Sequence, residues 1–243
     1  MDNILIYPAG TSDSCRYAAR FLKQEKIPIV DHPTPEVTHV LLDVPTNPDE
    51  ARKILPMVPV DVTVVGGNLS GFVSGKNRVV DLLKNEHYLA ANAAITADCA
   101  IKVVCPLMKS AFADSPALVI GWGRIGKCLV QKLSGLGCPV TVAVRKEKDL
   151  AALRSLGHES VDIRNLPPLL PKLRLIFNTA PETVLAADQL SLCGNCIKID
   201  LASLQGLPGD DVLWARKLPG KYAPESAGKL MAKSLLHYIK EVI

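Results

Sequence analysis

Ala117-Leu118-Val119-Ile120-Gly121-Trp122-Gly123-Arg124-Ile125-Gly126 joins four apolar residues to three glycines spaced Gly-x-Gly-x-x-Gly. Glycines recur in turns of every kind, so the spacing alone is a weak signal. The surroundings strengthen it. A buried strand over 117–120 ends on the first glycine, a helix over 124–136 follows, and a second strand over 140–144 ends about 20 residues further on, the span of a mononucleotide-binding unit. Gly121 suits the tight turn, Gly123 lets backbone approach a diphosphate, and Gly126 lets the helix lie against the strand. The amides and positive end of that helix then attract phosphate oxygens. The alternative is a glycine turn without a ligand.

Outward from this turn the chain keeps an alternating rhythm. A helix over 148–156 and strands over 173–177 and 197–201 follow, so parallel strands joined by helices are expected. Upstream, strands over 4–7, 27–31, 37–43 and 62–65 alternate with a helix over 14–24 and a short helix opened by Asn47-Pro48-Asp49-Glu50, in which Asn caps and Pro suits the first helical position. The fold class expected is α/β, a Rossmann-type parallel-sheet domain preceded by a smaller α/β domain. Its boundaries are 1–90 for the N-terminal domain, 91–115 for an alanine-rich connecting helix that Pro106 kinks or breaks, and 116–243 for the dinucleotide domain. The last of these includes a helix from about Pro224 with Leu230, Met231, Leu235, Leu236 and Ile239 at helical spacing.

Bulk composition narrows the function classes. With 243 residues, 48% hydrophobic and 21% charged, the chain has enough apolar side chains for two modest cores. A net charge of +4, with Lys and Arg scattered along the chain, does not indicate a nucleic-acid or membrane-surface partner. No run of about 18 apolar residues occurs and the start lacks a signal-peptide pattern, so a soluble cytoplasmic protein is expected. Seven cysteines, mostly within apolar runs, read as reduced thiols. Cys193-Gly194-Asn195-Cys196 has the spacing of a redox or metal motif, but no second Cys or His pair accompanies it, so a structural role is expected and no metal.

Ligands of open α/β sheets bind at the carboxyl ends of the strands. Gly121, Trp122, Gly123, Arg124, Ile125 and Gly126 are therefore the central candidates for cofactor contact, Trp122 as a cover over it. Arg145-Lys146 stands where an NAD-specific protein carries an acidic residue for the ribose hydroxyls. Two cations there suit a 2′-phosphate, so NADP is the preferred cofactor with NAD as the alternative; otherwise Arg145 is a solvated surface residue. Asn178-Thr179-Ala180-Pro181 and Asp200-Leu201-Ala202-Ser203 follow the later strands and complete the set, with Asp200 expected to fix its loop through backbone amides.

Several of these pieces together resemble the A-type subunit of dipicolinate synthase: the strand and glycine turn 119–126, Phe177-Asn178-Thr179-Ala180-Pro181, Ile199-Asp200-Leu201-Ala202-Ser203, and Leu218-Pro219-Gly220 followed by Ala223-Pro224 and Ser226-Ala227-Gly228. Weaker similarity reaches back through 79–96. The resemblance implies a nicotinamide-cofactor oxidoreductase that works with a flavoprotein, the B-type subunit, and converts a hydroxylated tetrahydrodipicolinate, a small cyclic dicarboxylate, into dipicolinate. Asn92, Thr96, Pro224 and Ser226 become candidate substrate contacts. Asp98, which stands where the family carries Glu on the interdomain helix, becomes the candidate proton acceptor; otherwise it is a solvated carboxylate or a partner of Lys102. His87 and Tyr222 are fallback candidates. Adenosylhomocysteinase and the D-2-hydroxyacid dehydrogenases have related shapes, but their catalytic His or Lys motifs have no counterpart here. Two function classes stay open, an NADP-dependent oxidoreductase and a non-catalytic nucleotide-binding subunit or sensor. A homodimer is the default expectation for its size.

Overall fold

The structure is a computed structural model that describes residues 4–71, 73 and 77–242. The chain divides into two compact units, one made of the stretch up to Ile95 together with the stretch from Pro219 on, the other of Thr96–Leu218.

The first unit opens with β1 (Ile6–Pro8) and α1 (Asp13–Gln24). Ser12 caps α1, its hydroxyl accepting from the Cys15 amide at 3.2 Å, while Asp13 and Lys23 lie at the ends that suit their charges. Next come β2 (His39–Leu41), α2 (Pro48–Ile54), β3 (Thr63–Gly66), β4 (Arg78–Asp81) and α3 (Glu86–Val104). As its sequence implies, Asn47 caps α2 through a 3.0 Å bond from the Asp49 amide, with Pro48 in the first turn. The four strands form one parallel sheet in the order β1-β2-β3-β4. The expected strand over 27–31 contributes only an isolated parallel bridge, Ile29 to Ile6. That bridge lies on the side of β1 opposite β2, so the chain first steps to one side of β1 and then to the other.

The alanine-rich helix begins earlier than expected, and it ends at Val104 in a 3-10 turn, Cys105–Leu107, that contains Pro106. A proline inside a helix removes one backbone bond and clashes with the preceding turn. Glu86–Leu107 is, among the described residues, the one helical stretch long and apolar enough to cross a membrane by length and composition. Its Tyr88, Ala93, Ala97, Cys99, Ala100 and Val104 are buried in the protein.

The second unit carries β5 (Ala117–Ile120), α4 (Arg124–Gly135), β6 (Val140–Val144), α5 (Glu147–Ser155), β7 (Glu159–Asp162), β8 (Leu175–Asn178), α6 (Ala187–Ser191), β9 (Ile197–Asp200) and β10 (Val212–Trp214). All six strands are parallel, in the order β10-β9-β8-β5-β6-β7. The chain winds outward from β5 to β7, then returns to the far side of β5, which is the doubly wound order of dinucleotide-binding domains. β5 and β8 are buried throughout, as central parallel strands covered on both faces must be. Leu118, Ile120 and Ile176 pack with Leu166, Leu170, Leu185, Leu190 and Leu207 on one face.

After α7 (Leu218–Tyr222) the chain ends in α8 (Pro224–Val242). The sequence assigns this helix to the dinucleotide domain; the structure packs it on α1 in the first unit instead. Met231, Ala232, Leu235 and Ile239 meet Cys15, Ala18 and Leu22 there. Gly228 permits the approach, since a Cβ on it would stand 2.2 Å from the Ser14 carbonyl oxygen. The apolar stripe of α8 is legible in the sequence, but a stripe does not name the face that covers it.

Candidate functional site

Each sheet reverses its winding at one point, and the two points differ in what fills them. In the first unit the reversal lies between β1 and β2, where the start of α1 faces Asp43. The Asp43 carboxylate accepts from the amides of Thr11 at 2.9 Å and Ser12 at 3.2 Å, and from the Ser12 hydroxyl. Gly10 backs this contact, its Cβ position being only 2.6 Å from an Asp43 carboxylate oxygen. The positive end of α1 is therefore already occupied by an anion of the chain itself.

The second unit leaves its reversal point open. It lies between β5 and β8, where Ile120 pairs in register with Asn178. Gly121 turns the chain with φ +100, a conformation that side-chain-bearing residues rarely adopt. Thr179 closes the base of the turn, its amide and hydroxyl both donating to the Ile120 carbonyl at 2.9 and 2.8 Å. A Cβ on Gly126 would stand 2.2 Å from the Gly121 carbonyl oxygen, so α4 needs a glycine to reach the turn. Gly123 is different, for a Cβ there would meet nothing within 4 Å. It occupies the N-cap position of α4, and among the described residues no side chain caps that helix. The first amides of a helix have no carbonyl a turn earlier to bond, so the start of α4 directs donor groups and positive potential to the space above Gly123.

The loops after β8 and β9 form the far wall. Asn178 and Asp200 are both fully buried and pair in register. The Asn178 amide donates to Asp200 at 3.0 Å, and Asp200 also accepts from the backbone of Ala202 (2.9 Å), Gly206 (2.7 Å) and Leu207 (2.8 Å). Asp200 thus fixes its loop as expected. As cofactor contacts the two side chains are corrected, because their polar atoms are spent on bracing and not turned to a ligand. Trp214 adds a 3.2 Å bond from its indole to the Ala202 carbonyl, and Arg216 donates to the Ser203 carbonyl. The backbone of Thr179, Ala180, Pro181, Leu201, Ala202 and Ser203 is therefore held along the carboxyl edge.

No family model matches the chain. Over 178 residues, 69% of its length, it is 26% identical to the A-type subunit of dipicolinate synthase from Bacillus subtilis (strain 168), and it spans 59% of that relative. The solved A-type subunit of dipicolinate synthase from Bacillus halodurans superposes with a TM-score of 0.80 at 21% identity, covering 97% of both chains. A transhydrogenase from Sinorhizobium meliloti superposes with a TM-score of 0.72 at 14% identity, covering 98% of this chain and 94% of its own. The fold is that of the dipicolinate synthase A-type subunit. It is a Rossmann-type α/β fold of two parallel sheets.

Arg145, the first residue after β6, is not a lone cation. Its guanidinium pairs with the Glu182 carboxylate at 2.9 Å. Sequence reading missed Glu182, although its place directly after Pro181 at the carboxyl end of β8 marks it. Trp122 is held to one side, its ring edge-on to His158 with centroids 5.8 Å apart and under the Lys127 ammonium at 5.7 Å.

Asp98 requires a correction. Its carboxylate pairs with Lys132 at 2.7 Å, and Lys132 belongs to the last turn of α4, about 12 Å along the axis from the helix start. The structure does not bring Asp98 to the glycine turn. Asn92 and Thr96 lie one turn apart on α3, a spacing that puts them on one helix face. Pro224 and Ser226 open α8. Of the fallback residues, His87 stands edge-on to His237 of α8 at 6.4 Å, and Tyr222 ends α7.

Cys193 and Cys196 are buried, and burial pushes both thiols up, Cys196 to about 12. Thiolate is the reactive form, so neither is poised for nucleophilic or redox work at neutral pH. Burial likewise raises Cys15 to about 12 and Cys138 to about 11. Brief alkylation of the native protein at neutral pH, read by peptide mass, is expected to label exposed Cys105 first and half-buried Cys128 next. Early labelling of Cys193 or Cys196 would contradict the structural role.

Proposed function

We propose that this chain is a nicotinamide-dinucleotide oxidoreductase of the dipicolinate synthase type, holding NADP or NAD by its diphosphate at the start of α4. The observation that carries the reading is the difference between two helix starts: α1 is capped by the Ser12 hydroxyl with the Asp43 carboxylate beside it, whereas no side chain caps α4, which starts at a glycine with open space. A diphosphate fits that space, since it needs amide donors and room where a side chain would stand.

The residues divide the work. Amides of Arg124, Ile125 and Gly126 receive the diphosphate oxygens, and Gly121 and Gly126 set the turn. Thr179-Ala180-Pro181 and Leu201-Ala202-Ser203 flank the nicotinamide half through their backbone, kept in position by Asn178 and Asp200. Arg145 and Lys146 receive a 2′-phosphate, which favours NADP over NAD. A bound NADP+ or NAD+ would supply a hydride acceptor for the substrate ring. The substrate proposed is a hydroxy-tetrahydrodipicolinate-like cyclic dicarboxylate that loses water and then a hydride and a proton to become dipicolinate, with Asn92, Thr96, Pro224 and Ser226 as its contacts, a flavoprotein of the B type as partner and a homodimer as the assembly.

A second reading, a nucleotide-binding subunit or sensor without chemistry of its own, is favoured by the Asp98–Lys132 pair, which leaves the expected proton acceptor engaged away from the glycine turn. One experiment separates the two. Titration calorimetry with NADP+, NADPH, NAD+ and NADH is expected to give heat with at least one pair. Turnover is then followed with a hydroxy-tetrahydrodipicolinate, with and without a flavoprotein partner. Binding without turnover leaves the second reading, and no heat with any of the four removes both.

A further inference from the structure

We propose that Glu182 sets the cofactor discrimination of this site, holding Arg145 in a pair that a 2′-hydroxyl leaves intact and a 2′-phosphate has to open. The proposal rests on the dinucleotide reading above and deepens it.

In a doubly wound domain the residue ending the second strand, about 20 residues beyond the glycine turn, meets the adenosine ribose. Here that residue is Arg145, and its Nη1 lies 2.9 Å from Oε2 of Glu182, a residue of another loop 37 positions away. On that reading Arg145 stands at the adenosine ribose, and its pairing with Glu182 puts the carboxylate within one guanidinium of the 2′ position.

Glu182 is not on a slack segment. Gly206 lies against its backbone so closely that a Cβ there would be 2.4 Å from the Glu182 carbonyl oxygen and 2.6 Å from Asn178 Nδ2, and the Gly206 amide itself donates to Asp200. The buried Asn178–Asp200 brace therefore fixes where the carboxylate is presented.

The pair itself can open. Its side chains are 63% and 48% exposed, and ion pairs at such exposure are weak. A ribose carrying only hydroxyls finds in Glu182 an acceptor and leaves the cation paired. A 2′-phosphate competes with Glu182 for the same guanidinium and has to displace the carboxylate from it before it can pair. Arg145 thus attracts NADP and Glu182 restrains it, so the selectivity belongs to the pair.

The test is a calorimetric cycle on the full chain with NADP+ and NAD+, using the parent, Glu182→Gln, Arg145→Gln and the double variant, with thermal midpoints as a folding control. Glu182→Gln is expected to tighten NADP+ at least fivefold and to move the NADP+/NAD+ affinity ratio by that factor or more. In the Arg145→Gln background the gain is expected to shrink to twofold or less, because the released cation is no longer there. An unchanged ratio in Glu182→Gln, or a gain that persists in full without Arg145, overturns the proposal while leaving the dinucleotide site standing. A parent chain that binds neither dinucleotide overturns the site and this proposal together.

Discussion

Gly123→Asp is expected to lower dinucleotide affinity at least about a hundredfold, close to 3 kcal/mol, while leaving the fold as stable as before or more so by about 0.5–1 kcal/mol. The backbone at Gly123 is extended, with φ −80 and ψ −171, so a side chain is tolerated there. Its Cβ meets nothing within 4 Å. Aspartate is among the best N-cap residues, and its carboxylate would take a first-turn donor of α4 as the Ser12 hydroxyl takes the Cys15 amide of α1. A ligand diphosphate would then find its amides used and a negative charge in its place. Thermal unfolding and calorimetry on one protein sample read both effects. Retained affinity within tenfold, or a clear loss of stability, would count against the open helix start as the binding element. Gly126→Ala makes a poorer probe, since its Cβ would collide with the Gly121 carbonyl and cost about 1–3 kcal/mol of folding energy through overpacking.

The second large effect is expected at Asp200. Asp200→Ala should destabilise the second unit by about 3–5 kcal/mol, a range reserved for breaking buried polar networks. Four donors converge on this one carboxylate, from Asn178, Ala202, Gly206 and Leu207. Removing it leaves them in a fully buried place, where water cannot easily replace it. Urea unfolding followed by fluorescence of Trp122 and Trp214, both in this unit, is the measurement. A change below about 1 kcal/mol would mean that the loops after β8 and β9 are held by packing alone.

Legibility in the sequence followed burial. β5, β6 and β8 are mostly apolar runs because both of their faces are covered, and the glycine turn was readable because three backbone constraints coincide with a strand end and a helix start. The strands without a clear signal were β4, β7 and β10, each at a sheet edge. Arg78 and Asp81, or Glu159 and Asp162, break the apolar pattern there, as suits strands with one side unpaired. Within the site, spacing located Gly121, Gly123 and Gly126. It could not tell that Asn178 and Asp200 turn their polar atoms toward each other, that Asp98 reaches Lys132, or that Glu182 comes to Arg145. Those three outcomes depend on side chains from segments 22, 34 and 37 residues apart, whose meeting is settled only once the sheet has formed.

The partnership of α1 with α8 bears on how the chain is made. The Thr96–Leu218 unit is one uninterrupted stretch, so it is complete while the ribosome is still adding residues behind it, and domains acquire structure as units during synthesis. The other unit has to wait. Cys15, Ala18 and Leu22 are translated early but receive their apolar cover only when Met231, Leu235 and Ile239 emerge. Throughout that interval the nascent polypeptide carries a sticky stripe of the kind that molecular chaperones shield.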